Sequence, residues 1–566
     1  MRSLRLLLPL VLAACMEATG PQASNTPQLL SLTPETLSGD AGFVLPTPVR
    51  VKVVDNTGKG SPGQLVTFAV VEGGGSVTPA EATTDAEGIA EAHWQLGPQP
   101  GSNVLRVANG ERSVTLRATG ADGLGATIQR ISGGTTDSLP AGCTLGEPLL
   151  VKVLDKSNNP VAGATVSFEN AAGDGTFNPA VATTGADGVA STRWRLGYTG
   201  GTSRARAVLR IAAKPAVEFT ARSTPAAPNG YSVMGNKIYD PGTCAPILFH
   251  GIARPSMESW YGGDDRLVAN VAADFTLIKS WGANLVRLPI SQSFWVSGTY
   301  WNNAAKAAGV DYKAKVIDVV TKARAAGLAV IIDLHSSDRG IMNFTDTPDG
   351  QQLPDANISV PFWRDVATTF KDDGGVIYEL YNEPHDITAA QWLNGGDIPG
   401  GASYPGDPFP EKRPAYRAVG MQTLYDVVRG TGARNLVLIS GLHWGYFLNE
   451  VPQNRVKGYN IAYASHPYDW PDKQPDTWES AWGMLAATDP VIISEFGAYD
   501  CTRLGYYTQV LDYADRKGMS WVAWAWWVRS DQPADNACKY PSLISDWNGA
   551  ATLSGQIIKT RLASYR

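Results

Sequence analysis

The sequence predicts a multidomain protein in which two all-β sandwiches precede a C-terminal (β/α)8 barrel. Three observations carry this. A segment in the first half repeats itself at an offset of 100 residues. Beyond residue 231, eight short apolar runs alternate with amphipathic stretches. The chain of 566 residues suits several folded units rather than one. With 43% hydrophobic residues, it is not a disordered chain. The formal charge is −6, from 47 Lys and Arg against 53 Asp and Glu, so no excess of basic residues marks a nucleic-acid binder.

The first element is an address. Residues 1–15 read MRSLRLLLPLVLAAC. Arg2 and Arg5 precede the apolar run Leu6 to Ala14, which is too short to cross a bilayer. The ending Leu12-Ala13-Ala14-Cys15 resembles the lipobox of bacterial lipoproteins. That resemblance implies a cleaved leader (1–15) and lipidation of Cys15. Residue 16 is Met rather than the Asp of the inner-membrane retention signal. The chain is therefore expected to be exported and lipid-anchored, at the outer membrane or cell surface, with the lipid its only membrane contact. Residues 16–30 read as a flexible tether. An exported chain permits disulfides. Cys501 and Cys538 are the expected pair, and Cys143 with Cys244 is left open because sequence does not set connectivity.

The repeat comes next. VKVVD at 51–55 returns as VKVLD at 151–155, and TTDAEGIAEAHWQLG at 83–97 returns as TTGADGVASTRWRLG at 183–197. Short alternating strands are separated by Gly, Asn and Asp turns, which is the pattern of a β-sandwich about 100 residues long. The turn and the aromatic strand after it resemble bacterial immunoglobulin-like domains of the invasin type. The units are placed at 31–121 and 122–222, with a linker at 223–230, and are expected to act as spacers. Trp94 and Trp194 occupy equivalent strand positions and are read as core residues.

Residues 231–566 hold 15 of the 17 tryptophans and five of the six histidines. The apolar runs are 247–252, 283–289, 329–335, 376–382, 435–440, 461–466, 490–495 and 520–526. Eight strand–helix alternations predict a (β/α)8, or TIM, barrel with its active site at the C-terminal strand ends. The polar residues gather there. Arg287 follows the second run, and His335 ends the third. Asn382 and Glu383 end the fourth, and Trp444 follows the fifth. His466 and Tyr468 end the sixth, Glu495 ends the seventh, and Trp524 belongs to the eighth.

The stretches NLVRLPI, VIIDLH, VIYELYNEPH, ASHPYDW, VIISEFGAYD and SWVAWAWW resemble glycoside hydrolase family 5, the cellulase family. The resemblance implies Glu383 as acid/base and Glu495 as nucleophile of a retaining hydrolysis. It also implies that Arg287, His335, Asn382, His466, Tyr468, Trp524, Trp444 and Trp260 bind substrate. Like-charge repulsion from Glu495 is expected to raise the Glu383 pKa. No metal-ligand spacing is present, and neither metal nor cofactor is expected. The expected partner is a β-glucan polysaccharide, with the protein a monomer. An endo-β-1,4-glucanase leads. An endo-β-mannanase or another β-glycanase of the family is the nearest rival, and a non-catalytic glycan-binding surface adhesin is the rival from another class. The Trp392-containing segment 386–414 and the Phe294–Trp301 stretch are candidates for subsite walls.

Overall fold

The computed structural model describes residues 28–121, 127–135, 138–155, 157–211, 213–258, 266–298, 300, 302–337, 351–402, 414–498, 501–528 and 542–566, without the side chain of Cys501. Cys15, Trp260, Cys538 and the leader therefore lie outside the described residues, and so does the expected Cys501–Cys538 pair.

The N-terminal half forms two β-sandwiches of the same topology. In the first, strands Gln28–Ser31, Val49–Val54, Ile89–Gln95 and Ser76–Thr78 make a four-stranded sheet, in that order. Thr36–Asp40, Arg112–Ala121, Gly101–Asn109, Leu65–Glu72 and Glu81–Thr83 make a five-stranded one. The second unit repeats both strand orders. Alternate residues such as Val49, Val51, Val66, Phe68, Leu105 and Leu116 face inward and close a shared core. Trp94 and Trp194 are fully buried at equivalent places in the two cores, as expected of packing residues. The conserved-looking turn has a local cause within each copy. Thr84 and Thr184 donate their hydroxyls to the carbonyls of Ser61 (2.7 Å) and Val161 (2.6 Å). Gly88 and Gly188 take positive φ (78° and 74°), which a side chain rarely tolerates.

A disulfide joins Cys143 of the second sandwich to Cys244, with Cα atoms 5.9 Å apart. Sequence alone had left this pairing open. Cys244 precedes Pro246–Ile247, the last strand of a small antiparallel sheet with Ser232–Met234 and Lys237–Tyr239. Tyr198 adds to the junction, donating its hydroxyl to Asn229 (3.0 Å).

All eight apolar runs then become parallel strands of one closed barrel. They are β1 (His250–Ala253), β2 (Leu285–Ser291), β3 (Ala329–Ser336), β4 (Val376–Glu379), β5 (Val437–Ser440), β6 (Ile461–Ser465), β7 (Val491–Ile493) and β8 (Ser520–Ala523). Strand β1 pairs with both β2 and β8, closing the ring. Helices Val271–Trp281, Tyr312–Ala325, Ser359–Phe370, Met421–Gly430, Gly505–Lys517 and Leu553–Ala563 cover the outside. Tyr312–Ala325 shows why: Asp311 caps its N-terminus by accepting from the Ala314 amide (2.7 Å), and Val316, Val319, Val320 and Ala323 form its buried stripe.

Period-two alternation sorts the strand residues. Val286, Leu288, Val330, Ile332, Tyr378, Ile439 and Ile493 join the outer core under the helices. Leu285, Ile331, Ile377, Leu438, Ala462, Ile492 and Val522 fill the barrel interior. Two residues further along β2, β3, β4 and β5, the same inward register delivers Arg287, Asp333, Glu379 and Ser440. The site is thus the polar top layer of an otherwise apolar barrel.

Candidate active site

Arg287 is the centre of the layer and is fully buried. Its guanidinium Nε donates to Glu379 (2.5 Å), and Nη2 donates to the Asn382 side-chain oxygen (2.8 Å) and pairs with Asp333 (2.9 Å). Nη1 pairs with Glu495. Burial works against this charge, but the three carboxylates raise its pKa well above the ordinary arginine value. The planar fork suits several carboxylates at fixed angles, which an ammonium does not. The Tyr468 hydroxyl donates to the second oxygen of Glu495 (2.7 Å). Both oxygens of Glu495 are therefore held, by Arg287 and by Tyr468.

Glu383 faces Glu495 across the mouth. His466 lies between them, with Nδ1 2.9 Å from Glu383 and 4.0 Å from Glu495. Its Nε2 donates to Ser494 Oγ (2.8 Å), and Ser494 donates in turn to Glu379 (2.8 Å). Ser440 also donates to Glu379 (3.2 Å). Burial lowers the His466 pKa, but Glu495, Glu379 and Glu383 outweigh it and push it up to about 9. His335 is likewise raised to about 9 by Asp333, 2.7 Å away, against the pull of burial. Burial raises Asp333 to about 6, with Arg287 opposing. Burial also raises Glu379, but Arg287 and His466 carry it down to about 2.

Glu383 departs from the sequence-based expectation. Burial raises its pKa, yet the hydrogen bond and charge of His466, with Lys473 and His335, take it below the ordinary glutamate value. The cation touching Glu383 outweighs the repulsion from Glu495 farther off.

Aromatic rings border the carboxylates. The Trp524 indole stacks on the His335 ring, with centroids 5.7 Å apart and planes 13° apart. Trp444, half-buried beyond β5, stacks on His385 with centroids 3.7 Å apart and planes 1° apart. The structure thus brings together eight described sequence candidates around one mouth: Arg287, His335, Asn382, Glu383, His466, Tyr468, Glu495 and Trp524. Trp444 stands beside them. The two proposed subsite walls are corrected at three residues only, since Trp301 and residues 403–413 lie outside the described residues. Trp392 is buried, its indole N–H donating to the Ser440 carbonyl (3.0 Å), within helix Ala389–Asn394. Phe294 and Trp295 are buried in the hydrophobic core, whereas Tyr300 of the same stretch is exposed.

In the sequence Asp333 and Ser494 stand out only as polar strand-end residues without a role, and Glu379 and Ser440 receive none. The signal was present: each lies two residues beyond an inward apolar residue of its strand. A charged side chain at that register in an apolar run has to face the barrel interior. Ligand atoms of Glu383, His466 and Glu495 lie within 4.8 Å of one another. Both His466 nitrogens are engaged within the cluster, Nδ1 with Glu383 (2.9 Å) and Nε2 with Ser494 (2.8 Å).

A (β/α)8 barrel with two facing carboxylates at its mouth defines a class of hydrolytic enzymes. Residues 243–530 match the profile described as Cellulase (glycosyl hydrolase family 5). The chain belongs to that family, and it is a glycoside hydrolase. Among curated relatives, Cellulase CelDZ1 of a Thermoanaerobacterium species is 23% identical over 344 residues, 56% of this chain and 76% of the relative. Endoglucanase Z of Dickeya dadantii is 26% identical over 237 residues, 42% of this chain and 44% of the relative. The chain thus spans less than half the length of that second relative. Among solved structures, the β-glucanase SdGluc5_26A of Saccharophagus degradans is 21% identical, with a TM-score of 0.44 over 59% of this chain and 93% of that one.

Proposed function

We propose that the protein is a retaining endo-β-1,4-glucanase, with Glu495 as nucleophile and Glu383 as acid/base. The observation that carries this is the pair of facing carboxylates, with ligand atoms within 4.8 Å of each other and unlike partners. Double displacement wants carboxyl groups about 5–5.5 Å apart, whereas inversion needs roughly 6.5–9.5 Å to fit a water. Glu495 accepts from Arg287 and Tyr468, which fixes the orientation of the carboxylate that attacks the anomeric carbon. As that bond forms, the glycosidic C–O bond breaks and its electron pair goes to the leaving oxygen. Glu383 supplies the proton. In the 2.9 Å contact, Glu383 and His466 share one proton. A sugar filling the mouth removes water from the pair, which favours its neutral form with the proton on Glu383. The departing sugar carries the shared proton away, which leaves Glu383 ionised, so in the second step Glu383 takes a proton from the water that attacks the glycosyl ester of Glu495. Because Asn382 Oδ1 is taken by Arg287, its amide N–H group is left to donate to a 2-hydroxyl. Trp524 offers an apolar face to the ring bound at the nucleophile.

The N-terminal half supports a second reading, that of an exported chain with two immunoglobulin-like spacers carrying the barrel on a lipidated Cys15. The Cys143–Cys244 bond favours an oxidising compartment. Reducing-sugar release from carboxymethyl cellulose, mixed-linkage glucan, mannan and xylan tests the enzymatic reading. The two glucans are expected to lead. Release from mannan alone would reassign the substrate, and no release from any of them would sink the proposal.

A further inference from the structure

Lys473 sits in the loop after β6, seven residues beyond His466. It is 5% exposed. An ammonium carries three N–H donors and no acceptor. Among the described residues, its side chain has one long hydrogen bond, 3.5 Å to the Trp444 carbonyl, and lies 5.0 Å from the Tyr446 ring centroid. A buried cation so thinly partnered costs stability. The loop does not need it. Its backbone is fixed independently, as Trp478 Nε1 and Tyr506 Oη donate to the Lys473 carbonyl (2.9 and 3.0 Å) and the Lys473 amide donates to the Trp470 carbonyl (3.0 Å). An apolar side chain at this position keeps all three contacts.

The location suggests what the ammonium serves. Trp444, whose carbonyl the ammonium reaches, donates its own amide to the carbonyl of Pro384, the residue after Glu383 (3.0 Å). Lys473 therefore belongs to the Glu383 side of the mouth, together with Trp444. His335 and Trp524 stack as a separate pair, and His335 Nδ1 lies 4.0 Å from Glu495. That pair borders the sugar attacked by the nucleophile. The Glu383 side borders the sugar that departs. Deep burial is no obstacle to contact, since Glu495 itself is only 4% exposed.

We infer that Lys473 donates a hydrogen bond to a hydroxyl of the sugar on the leaving-group side, making the enzyme selective for a saccharide over another leaving group. This rests on Glu383 being the acid/base. The test compares the full chain with its Lys473→Met variant on two substrates. Cellohexaose departs as a sugar, and an aryl β-cellotrioside departs as a phenol without sugar hydroxyls. The ratio of kcat/KM on cellohexaose to that on the aryl glycoside is expected to fall about tenfold or more, the scale of one charge-assisted hydrogen bond. An unchanged ratio overturns the inference, whether both activities fall together or neither moves. If Lys473→Met does not fold, Lys473→Leu, which also lacks a donor, carries the same comparison. A wild-type chain inactive on both substrates overturns the glucanase reading itself, and does so before any variant is made.

Discussion

At the scale of single residues, the site is governed by two cationic histidines among carboxylates. His335 and His466 are both raised to about 9, from an unfolded value of about 6.5. Each holds its proton more tightly folded than unfolded. Their stabilising contribution is complete below about pH 6.5 and is lost as pH rises through about 9. The unfolding midpoint and kcat should therefore decline together over that range, followed by thermal melts and initial rates in matched buffers. Constant values through about pH 10 would contradict a doubly protonated His466. The sequence showed the residues that end strands or follow them, such as Glu383, His466 and Glu495, because their neighbours form motifs. It showed Glu379 and Ser440 only through register, and their partners only in three dimensions. The pKa of Glu383 was not legible, since its sign depends on which neighbour stands closer, His466 or Glu495.

At the scale of elements, the barrel strands were legible because each is an apolar run long enough to cross the ring, bounded by turn residues. Their connections were less so. The segment after β4 reads as a Gly/Pro-rich surface loop, yet Thr388 and Gln391 form a capping box for helix Ala389–Asn394. Gly395–Ile398 then pairs with Tyr416–Val419. Aromatic residues in a loop at this face invite a substrate role, and Trp392 instead anchors the segment to β5. Trp392→Ala is expected to cost about 3–5 kcal/mol of stability through the cavity it opens, read from denaturant unfolding. The KM for a soluble glucan should change little. A variant of unaltered stability whose KM rises steeply would restore Trp392 to the cleft.

At the scale of the whole molecule, the repeat offset was legible and so was the two-sandwich order, because both copies keep their turn threonines and core tryptophan. The bond between sandwich and barrel was not, since its cysteines lie 101 residues apart in different units. Cys244 lies before β1, on the side where strands enter the barrel, and the carboxylates lie where strands leave it. Replacing both Cys143 and Cys244 by Ser should leave activity on a soluble glucan within about twofold, as expected of changes remote from the site. Proteolytic cleavage in the 223–230 linker should quicken. A large loss of activity would mean that the sandwich helps to shape the mouth. The central claim is that Glu495 attacks and Glu383 gives and then takes a proton, so that the product keeps its anomeric configuration. Proton NMR of the first product anomer released from cellohexaose tests it most directly. The β-anomer appearing first, and relaxing later to the mutarotated mixture, is the predicted result. The α-anomer appearing first would mean direct attack by water and would contradict the account.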